Sequence, residues 1–138
     1  AGGIMHGSHA AKMLNLGASA VQMGTAFIQC KSSNASASYR EALFKQPITQ
    51  ITHSISGRPA RGLINAWHSQ VDQAERPPVP PYPYAYDLAK QLQHVATEQQ
   101  DQRFCAFWAG TRVAQIRALE PADLINLLML EMKLPKSV

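Results

Sequence analysis

An α/β fold is what this sequence predicts, and three observations carry the expectation. Residues 1–27 run from a short apolar stretch, through an amphipathic segment, into a second apolar stretch, the order strand–helix–strand. Glycines stand at the ends of both apolar stretches, as Gly2–Gly3 and as Gly24. A helical crossover returns the chain to the same edge of a sheet, so two strands joined this way run parallel.

Taken in order, "AGGI" is small and apolar and reads as the end of a buried strand, and "MHG" as a turn. Ser8 is a candidate N-cap, Ala10, Met13 and Leu14 share a helical face, and Gly17 is the C-terminal stop. "SAVQMGTAF" reads as the second buried strand. A polar loop then leads to a helix in which Ser38 and Glu41 have capping-box spacing and which Pro47 limits. "ITQITHSI" suits a short strand, "SGRPARG" a basic turn and "LINAWHSQVDQ" a helix. Five prolines between Pro77 and Pro83 make an extended connector. Helices are expected at about residues 86–98, 111–118 and 121–132, with Pro121 at the first position of the last.

The chain has 138 residues, 46% of them hydrophobic, which places it among globular rather than disordered sequences. No run of 18 apolar residues is present, so no membrane partner is expected. The net charge is +4, but the basic residues are scattered, which argues for a solvated surface and against nucleic acid. Cys30 and Cys105 form neither a disulfide framework nor a metal pattern, so no metal is expected and a cytoplasmic setting fits best. Residue 1 falls inside a structural element, without Met or signal peptide, which suggests a piece of a longer chain.

Glycine at the end of a parallel strand lets backbone approach a ligand. In a (β/α)8 barrel, the loops after the seventh and eighth strands commonly form a phosphate site. The opening fits that arrangement: backbone N–H groups of Gly3, Gly24 and Thr25 would cradle one phosphate, with the Thr25 hydroxyl as a further donor. Spacing alone leaves tight turns and close packing as an equal alternative. Tyr82, Tyr86 and Lys90 recur every four residues, a spacing that lines up one helix face. Two phenols and an ammonium can clamp a small anion, or form a surface stripe.

"AGGIMHG…LGASAVQMGTAF", followed by "SGRPARGLIN", "YPYAYDLAK" and "FWAGTRVAQIR", resembles the flavin-mononucleotide barrels of the nitronate monooxygenase family, class I. The resemblance covers most of the chain. It implies the C-terminal part of an FMN-binding TIM barrel with a small helical appendage. Residues 1–66 would then carry the last strands and helices and the FMN phosphate site, and residues 67–138 a mostly helical segment at the substrate cavity. It implies flavin contacts at Gly3, Gln22, Met23, Gly24 and Thr25, and a substrate wall of Tyr82, Tyr86 and Lys90. The implied partners are an alkyl nitronate and O2, and the implied products a carbonyl compound and nitrite. Relatives usually carry Asp-Gly-Arg-Gly where this chain has His6-Gly7-Ser8-His9, which puts side-chain roles at positions 6, 8 and 9 in question. The family's catalytic histidine lies upstream of anything matched here. His6, His9, His53, His68 and His94 lack its context, and no catalytic residue is expected in this chain. The remainder of the barrel is expected upstream, and residues 1–138 alone should pack poorly. The alternatives are a flavin-type enoyl-acyl-carrier-protein reductase and, more distantly, a non-catalytic binder of phosphate ligands.

Overall fold

The computed structural model describes residues 2–45 and 47–133. These fall into two compact units, one made of the described residues up to Arg40 with those from Gly110 onward, the other of Glu41–Ala109.

In the first unit, α1 (Gly7–Asn15) and α4 (Pro121–Lys133) pack on each other. Ala10 of α1 and Leu124 and Leu128 of α4 are buried, the last two one helical turn apart. Leu16 caps α1 and Gly17 follows at φ +96°, the left-handed stop its position foretold. The N-terminal cap differs from expectation. His6, not Ser8, is the N-cap residue and gives no side-chain cap. The Gly7 N–H instead donates to Glu131 Oε2 of α4 at 2.7 Å. A carboxylate from a distant helix thus satisfies the N-terminal donor and meets the positive end of the dipole.

Neither apolar stretch of the opening belongs to a ladder among the described residues, and Thr25–Phe27 closes into a 3₁₀ turn. A strand exists through its hydrogen-bonding neighbours, and the described residues bring none to either stretch. Ile4 of the first stretch is nevertheless buried, whereas of "SAVQMGTAF" only Ala26 is, the rest being exposed or half-buried. The helix α2 (Ala37–Lys45) is capped by Ser36, whose Oγ accepts from Tyr39 N–H at 3.2 Å and lies 2.9 Å from Ser38 Oγ. Ser38 is therefore inside the helix and the expected capping box does not form. The helix expected over 111–118 shrinks to a 3₁₀ turn at Val113–Gln115, after which Ile116 is extended and buried. Eight residues pay nucleation poorly, and burial of Ile116 on an extended backbone wins.

In the second unit, β1 (Thr49–Thr52) and β2 (Ala60–Leu63) form an antiparallel hairpin in register Thr49↔Leu63 and Thr52↔Ala60. Gly62 bridges Trp108 in the same sense, and Leu63 N–H donates to the Phe107 carbonyl at 2.8 Å. A Cβ on Gly62 would lie 3.0 Å from that carbonyl, tight enough that the neighbouring segment would have to give by a few tenths of an ångström. Trp67 opens a π-helical turn, Trp67–Val71, in place of the expected longer helix. Its indole Nε1–H donates to Ser54 Oγ at 2.7 Å. Trp67 packs with Ile55 and with Ala89 of α3 (Tyr84–Glu98), against partly buried Val71, Phe104, Ala106 and Trp108. Alanines 85, 89 and 96 are the buried positions of α3, small residues on its inner face. No helix among the described residues is long and apolar enough to cross a membrane, and no group of three or more His, Cys, Asp or Glu among them is placed to hold a metal.

Candidate functional site

Three chain segments converge in the first unit at Gly3, Thr25 and Gly110. The Gly110 N–H donates to Thr25 Oγ1 at 3.0 Å. A Cβ built on Gly110 would lie 3.4 Å from Gly3 N and 3.6 Å from Thr25 Oγ1. Gly2 and Gly3 both adopt left-handed φ, +91° and +67°. A side chain on Gly3 would be strained by that backbone and would come within 3.0 Å of Thr111 Oγ1. Gly24 is different: its φ is −108° and the space around a Cβ is open to 4 Å. Neither backbone conformation nor packing among the described residues demands glycine there. Gln22 and Gly24 are exposed and Met23 is half-buried. Thr25 Oγ1 accepts from Gly110, which leaves its own proton to donate.

Beside Gly2 and Gly3 lies a cavity of about 370 Å³, also lined by His9, Lys12, Thr111 and Arg112. Arg112 Nη1 donates to the Gly3 carbonyl at 3.2 Å and to His9 Nδ1 at 3.1 Å. Arginine cannot accept, so Nδ1 is the acceptor and the His9 proton sits on Nε2. Burial first, then the charges of Arg112, His6 and Lys12, hold the His9 pKa below its ordinary value against the opposing pull of Glu131. The donor set of left-handed glycines, a threonine hydroxyl, a guanidinium and an ammonium suits a phosphate. Of the phosphate donors expected from sequence, Gly3 lines this cavity and Gly24 and Thr25 do not; Lys12, Thr111 and Arg112, which do line it, were not singled out from sequence. The last two lie in "FWAGTRVAQIR", far along the chain, and nothing local marks them.

The second unit holds a cleft of about 450 Å³. Ile55, Ala89, Ala106 and Trp108 give it apolar walls, and Tyr86, Lys90 and His94 a polar rim. Tyr86 and Lys90 are brought to this cleft as expected of a shared helix face; Tyr82 is not among its lining residues. The helix begins at Tyr84, so Tyr82 precedes it and departs from the helical spacing. Tyr82 instead stacks on Tyr86, with ring centroids 6.2 Å apart and planes at 27°. Lys90 Nζ lies 4.4 Å from the Tyr86 centroid and 3.7 Å from Asp87 Oδ1. Arg58 caps the other end, its Cζ 4.6 Å from the Tyr82 centroid. The four side chains make a cation–ring–ring–cation row. Arg61, by contrast, ties the hairpin, donating to the Thr49 carbonyl at 3.1 Å.

The histidines other than His9 are bonded to neighbours, exposed or buried away from the cavity beside Gly2 and Gly3. His6 Nδ1 sits 3.3 Å from Glu131, His94 Nε2 sits 3.4 Å from Glu98, and His53 is exposed. His68 is buried with Nδ1 3.4 Å from the Asn65 N–H, and its Nε2 has no partner among the described residues.

The likeness to solved flavoenzyme-type barrels makes this an α/β barrel segment, and it carries a basic, glycine-lined cavity. The family model described as Nitronate monooxygenase matches residues 1–131. The chain belongs to the nitronate monooxygenase family. It is 46% identical over 136 residues to the nitronate monooxygenase of Pseudomonas aeruginosa, covering 96% of this chain and 38% of that protein. It is 38% identical over 135 residues to that of Paraburkholderia phytofirmans, covering 96% and 37%. Among solved structures it is similar to nitroalkane oxidase from Streptomyces ansochromogenes, with a TM-score of 0.85, 33% identity, and coverage of 95% of this chain and 38% of that one. A FabK variant from Thermotoga maritima gives 0.68 at 25% identity, over 96% and 39%. The chain thus spans under two-fifths of the length of these relatives. Its fold class is α/β, the C-terminal part of a TIM barrel with a helical appendage.

Proposed function

We propose that this chain is part of an FMN-dependent nitronate monooxygenase, which uses O2 to oxidise an alkyl nitronate to a carbonyl compound and nitrite. The observation that carries the reading is the convergence of Gly3, Thr25 and Gly110 beside a cation-lined cavity. Bound flavin supplies the electron acceptor and the route of electrons to O2. The work of this chain is binding and orientation. Backbone N–H groups at Gly3, Gly24 and Thr25, with the Thr25 hydroxyl, hold the flavin phosphate, and Gln22 and Met23 lie against the cofactor. Tyr86 and Lys90 border the substrate, with Tyr82 supporting Tyr86 from behind. General-base chemistry is assigned to no residue of this chain. The enoyl reductase alternative is not favoured, because the family model and the curated relatives carry the nitronate monooxygenase description.

Open space around Gly24 makes a clean test. A Cβ at Gly24 meets nothing within 4 Å among the described residues, so Gly24→Val should lose flavin at an unchanged melting temperature if the branched side chain takes the ligand's space. The measurement is FMN retained after gel filtration of the complete protein. A variant that stays fully yellow at unchanged melting temperature removes Gly24 from the cofactor site.

Lys90→Met tests the substrate wall. The ammonium is more than half exposed and its pairing with Asp87 is weak, so it remains available to an anion. Net stabilisation of a bound nitronate by about 1–2 kcal/mol corresponds to a fall in kcat/KM of roughly 5- to 30-fold. Oxygen uptake at fixed flavin occupancy, without added NAD(P)H, is the assay. Wild-type kinetics in Lys90→Met would return Lys90 to the solvated surface.

A further inference from the structure

We propose that Arg112 is the cation that holds the phosphate of the flavin in this protein, an assignment that rests on the reading of the glycine loops given above. Backbone donors alone give a phosphate direction but no formal charge. The cavity beside Gly2 and Gly3 supplies the charge through Arg112 and Lys12, its lysine and arginine lining residues. Neither makes an ion pair with a carboxylate among the described residues, whereas Arg117 pairs with Glu131 and Lys31 with Glu120 in the same unit. Uncompensated positive charge concentrated on a cavity asks for an anion.

The guanidinium is also aimed. Its Nη1 is committed to the Gly3 carbonyl and to His9 Nδ1, which fixes the plane of the group against the left-handed glycine turn. Three N–H donors on Nε and Nη2 remain, in the fork geometry that matches phosphate oxygens. His9 serves as acceptor only while neutral. With His9 neutral, the cavity carries two positive charges from its own lining, against about −1.5 to −2 on a phosphate monoester at pH 7. Arg112 therefore acts twice, holding the Gly3 peptide in its left-handed turn and facing the ligand.

The test compares FMN with riboflavin, which differs only by the phosphate. Binding of each is titrated by flavin fluorescence to the complete apoprotein as wild type, Arg112→Gln and Arg112→Lys, with a thermal melt of each variant as a check on folding. Wild type should prefer FMN strongly. Arg112→Gln should weaken FMN by roughly 10- to 100-fold, as expected for loss of a charged hydrogen-bond partner, and riboflavin by less than about 2-fold. Arg112→Lys keeps the charge and should recover part of the FMN loss. If wild type prefers FMN and Arg112→Gln keeps that preference, Arg112 is not the phosphate cation and the glycine-loop reading stands. Equal loss of both ligands in Arg112→Gln makes it a structural tie and likewise overturns the assignment. Wild type that binds riboflavin as tightly as FMN sinks the phosphate reading itself and Arg112 with it.

Discussion

Replacing Gly7 with alanine should destabilise the protein by about 3 kcal/mol or more. In an exposed helix the same change would stabilise by up to about 1 kcal/mol, because alanine is the better helix former. The sign is therefore diagnostic. Gly7 opens α1 where α1 meets α4, and a Cβ there would collide with the Leu128 carbonyl oxygen and lie 2.8 Å from both Met132 N and Glu131 Cβ. Two of those three atoms are backbone, so no change of rotamer relieves the clash. The helices must move apart, which loosens buried Leu124 and Leu128 and pulls the Gly7 N–H from Glu131. Urea denaturation of the complete apoprotein, wild type against Gly7→Ala, gives the difference at pH 7. An alanine variant as stable as wild type would mean that α1 and α4 do not meet this closely.

Sequence pattern located helices better than strands, for a physical reason. The helices α1, α3 and α4 carry their hydrogen bonds within themselves, so periodicity, Gly17 and Pro121 mark them almost to the residue. The stretches "AGGI" and "SAVQMGTAF" read as strands because they are short, apolar and glycine-ended. A strand is completed by a neighbouring segment, and local sequence cannot say whether one is there. Caps were legible only when local. Ser36 was two residues from the expected cap, whereas the cap of Gly7 comes from Glu131 at the far end of the chain. No window of sequence contains that pair.

The candidate site divides along the same line. Gly2 and Gly3 have a conformational duty, since their left-handed φ values, shared outside the site by Gly17 and Gly57, favour that residue. Tyr86 and Lys90 follow from helical spacing, and Tyr82 lies outside α3 because Pro83, not Tyr82, caps it. The basic lining of the glycine cavity was invisible. Lys12 and Arg112 are 100 residues apart, and each looks like an ordinary surface cation in its own neighbourhood. The overall charge of +4 gave no hint, since it says nothing of which cations lack a carboxylate.

Glu131→Ala should cost about 3 kcal/mol at pH 7, and Glu131→Gln somewhat less. The carboxylate of Glu131 accepts from the Gly7 N–H at 2.7 Å, from Arg117 Nη1 at 2.6 Å and, at 3.3 Å, from His6 Nδ1. Arg117 in turn donates to the Met5 carbonyl at 2.6 Å, so a single carboxylate ties α4 to both the start of α1 and the turn before it. Both partners of the ion pair are about four-fifths buried, their side chains 20% and 18% exposed, and removing one strands the other. Glutamine keeps the volume and one carbonyl acceptor, which preserves either the Gly7 or the Arg117 bond but not the charge. Burial by itself raises the Glu131 pKa. Hydrogen bonds from Gly7, His6 and Arg117, with the charge of Arg117, outweigh it and hold the net value below the ordinary 4.5. A folded-state pKa below the unfolded one contributes stability that is complete above the unfolded value and is lost as pH falls through the folded value. Wild type should therefore lose its advantage over Glu131→Gln as pH drops from 7 to below about 4.5. Urea midpoints across that range read the gap directly. A gap that persists undiminished to pH 3, or no gap at pH 7, would show that the latch does not depend on an ionised carboxylate.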